Sequence, residues 1–374
     1  MVDISVIVPT WNVSGFICDC LDSILAQRHV SLEIIVLNCA GTDDTERLIR
    51  EYAEEYDCVK PVFLPASSGL AERRNLGIQM AQGEFIAFCD ADDVLPDDKN
   101  VYYSMLNQAH KENADLVVGN YYRENDGEIR KDSFSGSGLA RCVERVNMAL
   151  WNKLFRREFI QKYDISIPLG IDSFEDAIFC TAFLMQKPRI SDTDRYVYVY
   201  RESRPNDSEK IQGSHDRRYE RVVHDFRALE WVSCQKFDSE LDLWQELFFQ
   251  MLNVIFGFIW MPMSNAADKK KAYIALQETL QSIQENSIVG RIDTPDKDNR
   301  FRAIFGVSYL EFNSLTYEQF ILFRLLKGES VFGATNRPRG EDFVRMCYNG
   351  EIGLRMLFRC FKGWLAYKIK RKKQ

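Results

Sequence analysis

Three short, largely β-branched and almost wholly apolar runs, Ile4–Val8, Leu32–Leu37 and Phe85–Cys89, are separated by stretches whose apolar residues recur at helical spacing. Runs of this kind suit strands buried on both faces of a mostly parallel sheet. Between them, Phe16, Cys20, Ile24 and Leu25 form one helical stripe and Thr45, Leu48, Ile49 and Tyr52 another; Leu70–Met80 and Asn100–Ala109 continue the series. Strand and helix in alternation predict an α/β fold with crossover helices. Ligands of such sheets sit in the crevice at the carboxyl ends of the strands.

Beyond Asn120 the pattern is irregular. Ser133–Gly138 reads as a flexible loop or hairpin tip. Helices are expected around Arg156–Lys162 and Glu175–Met185, and a strand at Tyr196–Tyr200. From His215 onward, long amphipathic segments take over: Tyr219–Phe237, Leu241–Ile259 and Lys269–Glu285. The reading is therefore an α/β domain over 1–214 and an all-helical region over 215–374, a division that suits a chain of 374 residues.

The formal charge of -7 offers nucleic acid no overall attraction, and no basic stripe with interleaved aromatics occurs in the first 300 residues. Met1–Pro9 has neither a basic leader nor a small-residue cleavage site, so it reads as a first strand and the protein as cytoplasmic. The ten cysteines include no CxxC spacing, which favours reduced thiols. Phe248–Met263 is the longest apolar stretch; it contains Gln250, Asn253 and Pro262 and falls short of the roughly 20 residues a membrane span requires. It reads as a core helix.

Asp90, Asp92 and Asp93 follow directly on FIAFC, so three carboxylates crowd the place where a buried strand opens into the crevice. Such acids repel one another unless a cation neutralises them. Hard oxygen ligands without a nearby Cys–His set favour Mn2+ or Mg2+, held by one or two carboxylates together with substrate phosphates. A solvated acidic turn capping the next helix is the plainer alternative. His29, His110, His215 and His224 fall in no metal-ligand or triad spacing, and the absence of a Walker A loop or GxGxxG disfavours ATP-driven and dinucleotide chemistry.

In order along the chain, VIVPTWN, NCAGTDDT, GLAERRNLGI and GEFIAFCDADD span about 90 residues, and WNKLFRREFI and FEDAIFC follow. Taken together they resemble the inverting glycosyltransferases of family 2, with the GT-A fold, over about residues 1–210. That resemblance implies a nucleotide-sugar donor, with UDP the expected nucleotide, and an acceptor hydroxyl on a cell-surface polysaccharide or lipid-linked glycan. Pro9, Thr10 and Trp11 would line the nucleoside pocket, where an indole supplies a flat face for a base, and Asn38 would contact the base. Arg74, of the pair Arg74–Asn75, would orient the donor or steady the aspartates. Asp90 would face the ribose, Asp92 would bind the metal, and Asp93 would support the turn or meet the sugar.

Asp176 is expected to be the base that takes the acceptor proton, with Glu175 and Trp151 on the acceptor side. Lys153 is a candidate beside the acceptor or the donor phosphate, and Tyr200 and Arg201 resemble a segment near the donor diphosphate. Two acids opening a helix also have a purely structural reading, since they favour its dipole. The chain departs from the family pattern at NCAG, which replaces the usual DDGS and so places Cys39 and Ala40 where an acid and a glycine are expected. That departure keeps a second reading open, a catalytically silent nucleotide-sugar-binding or scaffold subunit. A nucleotidyltransferase is disfavoured by the lack of a glycine-rich basic phosphate loop.

The tail, residues 354–374, carries eight Lys or Arg and no acid. Leu354, Leu357, Phe358, Phe361, Trp364 and Leu365 recur on one helical side, with Arg355, Arg359 and Lys362 on the other. The pattern predicts an interfacial helix and peripheral contact with an anionic inner leaflet, worth roughly 1 kcal/mol per basic residue. A helix docked on the body with a solvated basic end is the alternative.

Overall fold

The structure is a computed structural model and describes residues 2–144, 147–171, 174–202, 215–235, 240–256, 266–283, 294–305, 309–317, 319 and 320. The chain divides into two compact units, Met1–Asp207 and Ser208–Gln374. The basic tail expected over 354–374 lies outside the described residues.

In the first unit, four strands form the parallel half of one sheet: β1 (Ile4–Thr10), β2 (Leu32–Cys39), β3 (Val59–Leu64) and β4 (Phe85–Phe88). They are linked by α1 (Ile17–Leu25), α2 (Thr45–Glu55) and α3 (Leu70–Met80), and α4 (Val101–Glu112) follows. β1 sits between β2 and β4, and all seven of its residues are buried. This is why its sequence is apolar at nearly every position rather than at alternate ones.

The sheet is mixed rather than mostly parallel. β7 (Lys153–Arg156) pairs antiparallel with both β4 and β5 (Leu116–Asn125), and β5 pairs antiparallel with β6 (Glu128–Asp132). β8 (Ile190–Arg201) then lies parallel along the other edge of β5. The β5–β6 hairpin turns at Asp126 and Gly127, with φ of 50° and 83°, the left-handed pair that a two-residue hairpin loop requires. Three short helices complete the unit: α5 (Gly138–Val143), α6 (Arg157–Lys162) and α7 (Glu175–Met185).

A polar stitch fixes the end of the sheet where β1, β2 and β4 begin. The Ser5 hydroxyl donates to Glu33 Oε1 at 2.5 Å and accepts the Gly83 N–H at 2.7 Å. Gln82 N–H donates to the same carboxylate at 2.6 Å, and Lys60 Nζ lies 2.6 Å from its other oxygen. Burial alone would raise the pKa of Glu33, but Lys60, Ser5 and Gln82 outweigh it and hold the group below its ordinary value.

The second unit is helical, with helices at His215–Ser233, Leu241–Val254, Ala266–Ile283, Thr294–Phe305 and Tyr309–Ser314. Its core includes Phe301, Phe305, Phe312 and Phe320, all fully buried. The Tyr273 hydroxyl donates within this cluster to the Phe312 carbonyl at 3.0 Å. Among the described residues, no helix is long and apolar enough to cross a membrane.

Gly83 has no room for a side chain: a Cβ there would stand 2.5 Å from Ser5 N and 2.8 Å from Ile4 C, both backbone atoms. Gly83→Ala should therefore lower stability by about 1–3 kcal/mol. Gly15→Ala, whose Cβ meets nothing within 4 Å, serves as the control and should stay within about 0.5 kcal/mol of the parent. Urea unfolding of the full-length variants measures both.

Candidate active site

The carboxyl ends of β1, β2 and β4 open on one side of the sheet, and the expected donor residues gather there. Pro9 and Thr10 end β1 and are buried, while Trp11, just beyond, is half-buried. Asn38 near the end of β2 is 1% exposed, and its Oδ1 accepts the Thr10 hydroxyl at 3.0 Å. Arg73 donates to the Thr10 carbonyl at 3.0 Å. The Cys39 thiol turns inward to the Ser68 carbonyl at 3.2 Å.

The loops after β1 and β2 are tied together below this pocket. Asn12 Oδ1 accepts the Thr42 N–H at 2.7 Å, and Asp43 accepts the Ser14 N–H at 2.9 Å and the Thr45 hydroxyl at 2.6 Å. Partial burial would raise the pKa of Asp43, yet these donors bring it down to about 2.

Beyond β4, Tyr198 of β8 organises the acidic turn. Its hydroxyl accepts the Asp90 N–H at 3.0 Å and donates to Asp93 Oδ2 at 2.9 Å, and the Arg201 N–H donates to Asp93 Oδ1 at 2.8 Å. Asp93 is 1% exposed, and burial, then Asp92 and Asp90, push its pKa well above the usual carboxylate range. Of its two expected roles, the structure gives Asp93 the support of the turn. Asp90 and Asp92 remain partly exposed.

Arg74 joins this turn to α7. Its side chain is 3% exposed; Nη1 donates to Glu175 Oε1 at 2.7 Å and to Asp176 Oδ1 at 2.5 Å, and Nη2 donates to Asp90 Oδ1 at 3.1 Å. Burial disfavours the guanidinium charge, but Asp176, Asp90 and Glu175 together raise its pKa above the ordinary value. Neighbouring Asn75 makes a two-way amide clamp on Ile167, donating to its carbonyl at 2.8 Å and accepting its N–H at 2.9 Å. The segment ahead of α7 is thereby anchored to α3.

Phe174, in the left-handed region at φ 55° and ψ 21°, turns the chain into α7, so that Glu175 and Asp176 open the helix. Glu175 is buried against Arg74. The Asp176 side chain keeps 23% exposure, and its second oxygen accepts the Leu150 N–H at 3.3 Å. Burial is the largest cause of an Asp176 pKa pushed up to about 7; Arg74 opposes the rise, while Glu175 and Asp90 add to it. A carboxyl poised there can take and release a proton near neutrality.

Trp151 stacks on Tyr198 (ring centroids 4.5 Å, 15° between planes) and Tyr200 (5.8 Å, 7°), so an aromatic face lies beside the acidic turn. One expectation is corrected. Lys153 is 2% exposed and gives its ammonium to Asn147 O, Ala149 O and Asn152 Oδ1, so it meets neither acceptor nor phosphate. The Arg201 side chain pairs with Asp19 at 3.1 Å and Glu124 at 3.5 Å. Tyr198, the clamp of Asn75 on Ile167 and the Leu150 N–H were not anticipated; the alternation of Tyr196, Tyr198 and Tyr200 is the signal that puts these rings on one strand face.

Among the described residues, no three His, Cys, Asp or Glu side chains converge as a preformed metal cage. The oxygen donors that face outward nonetheless suit Mn2+ or Mg2+, which bind through one or two carboxylates and complete their shell with phosphates and water. Asp92 is partly exposed and of a type that suits such an ion, while Asp93 is held by Tyr198 and Arg201 and Asp90 shares an oxygen with Arg74.

Residues 5–174 match the family described as Glycosyl transferase family 2. The chain is 29% identical over 214 residues to the uncharacterized glycosyltransferase YibD of Escherichia coli, covering 53% of this chain and 60% of YibD. It is 26% identical over 203 residues to the poly(ribitol-phosphate) beta-glucosyltransferase of Bacillus spizizenii, covering 53% of this chain and 32% of that enzyme. The chain thus spans under two thirds of the curated relatives it matches here. S. aureus TarS 1-349 in complex with UDP-GlcNAc shares the fold, with a TM-score of 0.63, 19% identity and coverage of 86% of this chain and 90% of that one. The first unit is a GT-A type domain, followed by a helical C-terminal region.

Removing the shared cation tests the site. Arg74→Met leaves Asp90, Glu175 and Asp176 buried or half-buried without a counter-charge and should cost about 3–5 kcal/mol. The penalty should be larger at about pH 8 than at about pH 5.5, because protonation relieves the unpaired carboxyls. Urea unfolding at the two pH values measures it; equal losses would contradict the electrostatic account.

Proposed function

We propose that this protein is an inverting glycosyltransferase that moves a sugar from a nucleotide sugar, with UDP as the nucleotide, to an acceptor hydroxyl. The observation that carries the reading is Asp176: a half-buried carboxyl with a pKa near 7, held by Arg74 across from the Asp90–Asp93 turn.

In this reading Pro9, Thr10, Trp11 and Asn38 bound the nucleoside pocket, Asp90 faces the ribose, and Arg74 keeps donor side and acceptor side in register. Asp92 holds Mn2+ or Mg2+; when bound, the ion supplies Lewis-acid stabilisation to the departing diphosphate. Asp176 accepts the proton of the acceptor hydroxyl as its oxygen bonds to the anomeric carbon. The bond from that carbon to the phosphate oxygen breaks on the opposite face, which inverts the centre and releases the nucleoside diphosphate. Glu175 shares Arg74 and steadies the base, and Trp151 offers the acceptor an apolar ring face.

The acceptor class rests on likeness. One relative is named a poly(ribitol-phosphate) glucosyltransferase, and one structural neighbour is a complex with UDP-GlcNAc. The first supports a polymer such as a cell-surface polysaccharide as acceptor, and the second a UDP-sugar as donor. The basic amphipathic sequence of 354–374 is in keeping with such an acceptor at the inner face of a membrane.

Calorimetric titration of UDP, with CDP and GDP as comparisons, should show binding to the full chain with Mn2+ that is lost in excess chelator. A folded protein that binds no nucleotide under either condition would favour the scaffold reading. Asp176→Asn should bind UDP within about twofold of the parent and lose roughly 100-fold or more in transfer, the range for a missing general base. The parent's turnover should fall about tenfold per pH unit on the acid side of about 7, since only the ionised carboxylate acts as base.

A further inference from the structure

Lys153 is 2% exposed and, among the described residues, forms no ion pair with a carboxylate. Its ammonium instead donates to three neutral oxygens: Ala149 O at 2.7 Å, Asn152 Oδ1 at 2.8 Å and Asn147 O at 2.9 Å. An ammonium has three protons, so its donors are fully used. Burying a cation away from any anion is costly unless its hydrogen bonds achieve something the fold requires.

What they achieve is visible in the turn over 147–150. Lys153 Nζ takes the carbonyls of Asn147 and Ala149; the Cys180 thiol of α7 takes that of Met148 at 3.1 Å; and the Lys153 N–H takes that of Leu150 at 3.2 Å. Four successive carbonyls are thus committed to these interior donors. Asn152 braces the same turn, donating to Asn147 Oδ1 and to Gly119 O, each at 2.9 Å. The Leu150 N–H, by contrast, meets Asp176 Oδ2 at 3.3 Å.

We propose that Lys153 is a positioning residue for the base: by gathering the turn's carbonyls around its ammonium, it holds the Leu150 N–H against the carboxylate of Asp176. The assignment rests on the reading of Asp176 as base and deepens it. An N–H donated to a carboxylate favours the ionised form. It opposes the burial, Glu175 and Asp90 that disfavour that form, and it acts alongside Arg74. Arg74 grips one oxygen of Asp176 and the turn the other, which also sets which way the free lone pairs of the carboxylate face.

The test uses full-length protein with carboxyl-13C aspartate, the Asp176 signal being assigned by its loss in Asp176→Asn. In Lys153→Met the Asp176 titration should move to higher pH, with proton affinity up about tenfold, the scale of one lost charge-assisted hydrogen bond. UDP affinity with Mn2+ should stay within about twofold, because the contacts of Lys153 are with Asn147, Ala149 and Asn152 rather than with Pro9, Thr10, Trp11 or Asn38. If Lys153→Met does not fold, Lys153→Gln, which keeps two donors on a shorter stem, should show the same direction. Replacing Leu150 by its α-hydroxy acid analogue puts an ester oxygen where the N–H stood and should raise proton affinity with the Lys153 side chain still present, although the Ala149 carbonyl that Lys153 takes becomes an ester carbonyl and a weaker acceptor.

An unchanged titration in either folded Lys153 variant, or in the ester variant, overturns the positioning role. Failure of the base reading is separately visible: transfer retained by Asp176→Asn removes the base assignment, while an inactive Asp176→Asn with a normal Lys153→Met titration removes only the role of Lys153.

Discussion

Among the described residues, Arg74 is the one cation paired with Asp90, Glu175 and Asp176, three acids that come from the end of β4 and the start of α7. The group carries a formal excess of two negative charges in a poorly solvated place, so not all the carboxylates can be equally stabilised in the ionised form. Glu175, the more enclosed of the helix pair, is tied to Arg74 alone in the side-chain contacts described. Asp176 keeps more exposure and carries the raised pKa. The same guanidinium therefore does two jobs: it makes the assembly of α3, the acidic turn and α7 tolerable, and it leaves one carboxyl near neutrality in its proton affinity. An uncharged residue at position 74 would lose both, and a lysine would supply charge without the planar fork that reaches two sides at once.

Around that centre, polar groups are consumed on their inward sides. Tyr198 takes the backbone of Asp90 and one oxygen of Asp93, the Arg201 N–H takes the other, and Asn75 clamps Ile167. What remains turned outward is the exposed part of Asp90, Asp92 and Asp176, together with the rings of Trp151 and Tyr200. Rigid inner bonding of this kind lets a site present charge without rearranging when a ligand arrives. It also explains why strand β8, far along the chain, belongs to the acidic turn: its tyrosines are the supports beneath it.

Legibility from sequence followed burial. β1, β2 and β4 are enclosed on both faces, so their apolar runs stand out, and α7 was read at its observed limits because two acids open it and an apolar run fills it. β3 was missed because it is an edge strand: Lys60 and Pro61 interrupt its apolar character, and a proline is tolerated where one edge needs no ladder partner. The β5–β6 hairpin was missed although Asp126–Gly127 is a strong turn signal, because β6 is almost wholly exposed and shows no buried alternation. β7, four residues long, was missed because a strand that short shows no pattern of its own ahead of the helix expected around Arg156–Lys162. Arg74 was recognised as a candidate, but its partner Asp176 lies 102 positions away, a pairing that no local pattern encodes. Lys153 was misplaced for a related reason, since a lysine satisfied by backbone carbonyls looks in sequence like any surface cation.

The departure at NCAG becomes intelligible once its side chains are located. Asn38 spends its carbonyl oxygen on the Thr10 hydroxyl, linking the ends of β2 and β1, and the Cys39 thiol is turned to the Ser68 carbonyl rather than to the pocket. The resemblance leads one to expect acids here, yet an ionised carboxylate in the 2% exposed setting of Cys39 would need strong donors to offset its desolvation. This chain places that charge a few residues on, at Asp43, where the Ser14 N–H and the Thr45 hydroxyl and N–H satisfy it and draw its pKa down to about 2. The loop is thus fixed by an acid that is itself outward and well served, while the floor of the pocket is neutral. A neutral floor interacts with a base through hydrogen bonds and ring contacts rather than through charge. In the reading proposed above, selectivity among bases would come from the geometry of Asn38 and Trp11, and the charge of a diphosphate would be met at the turn Asp90–Asp93, since Arg74 is already engaged by Asp90, Glu175 and Asp176.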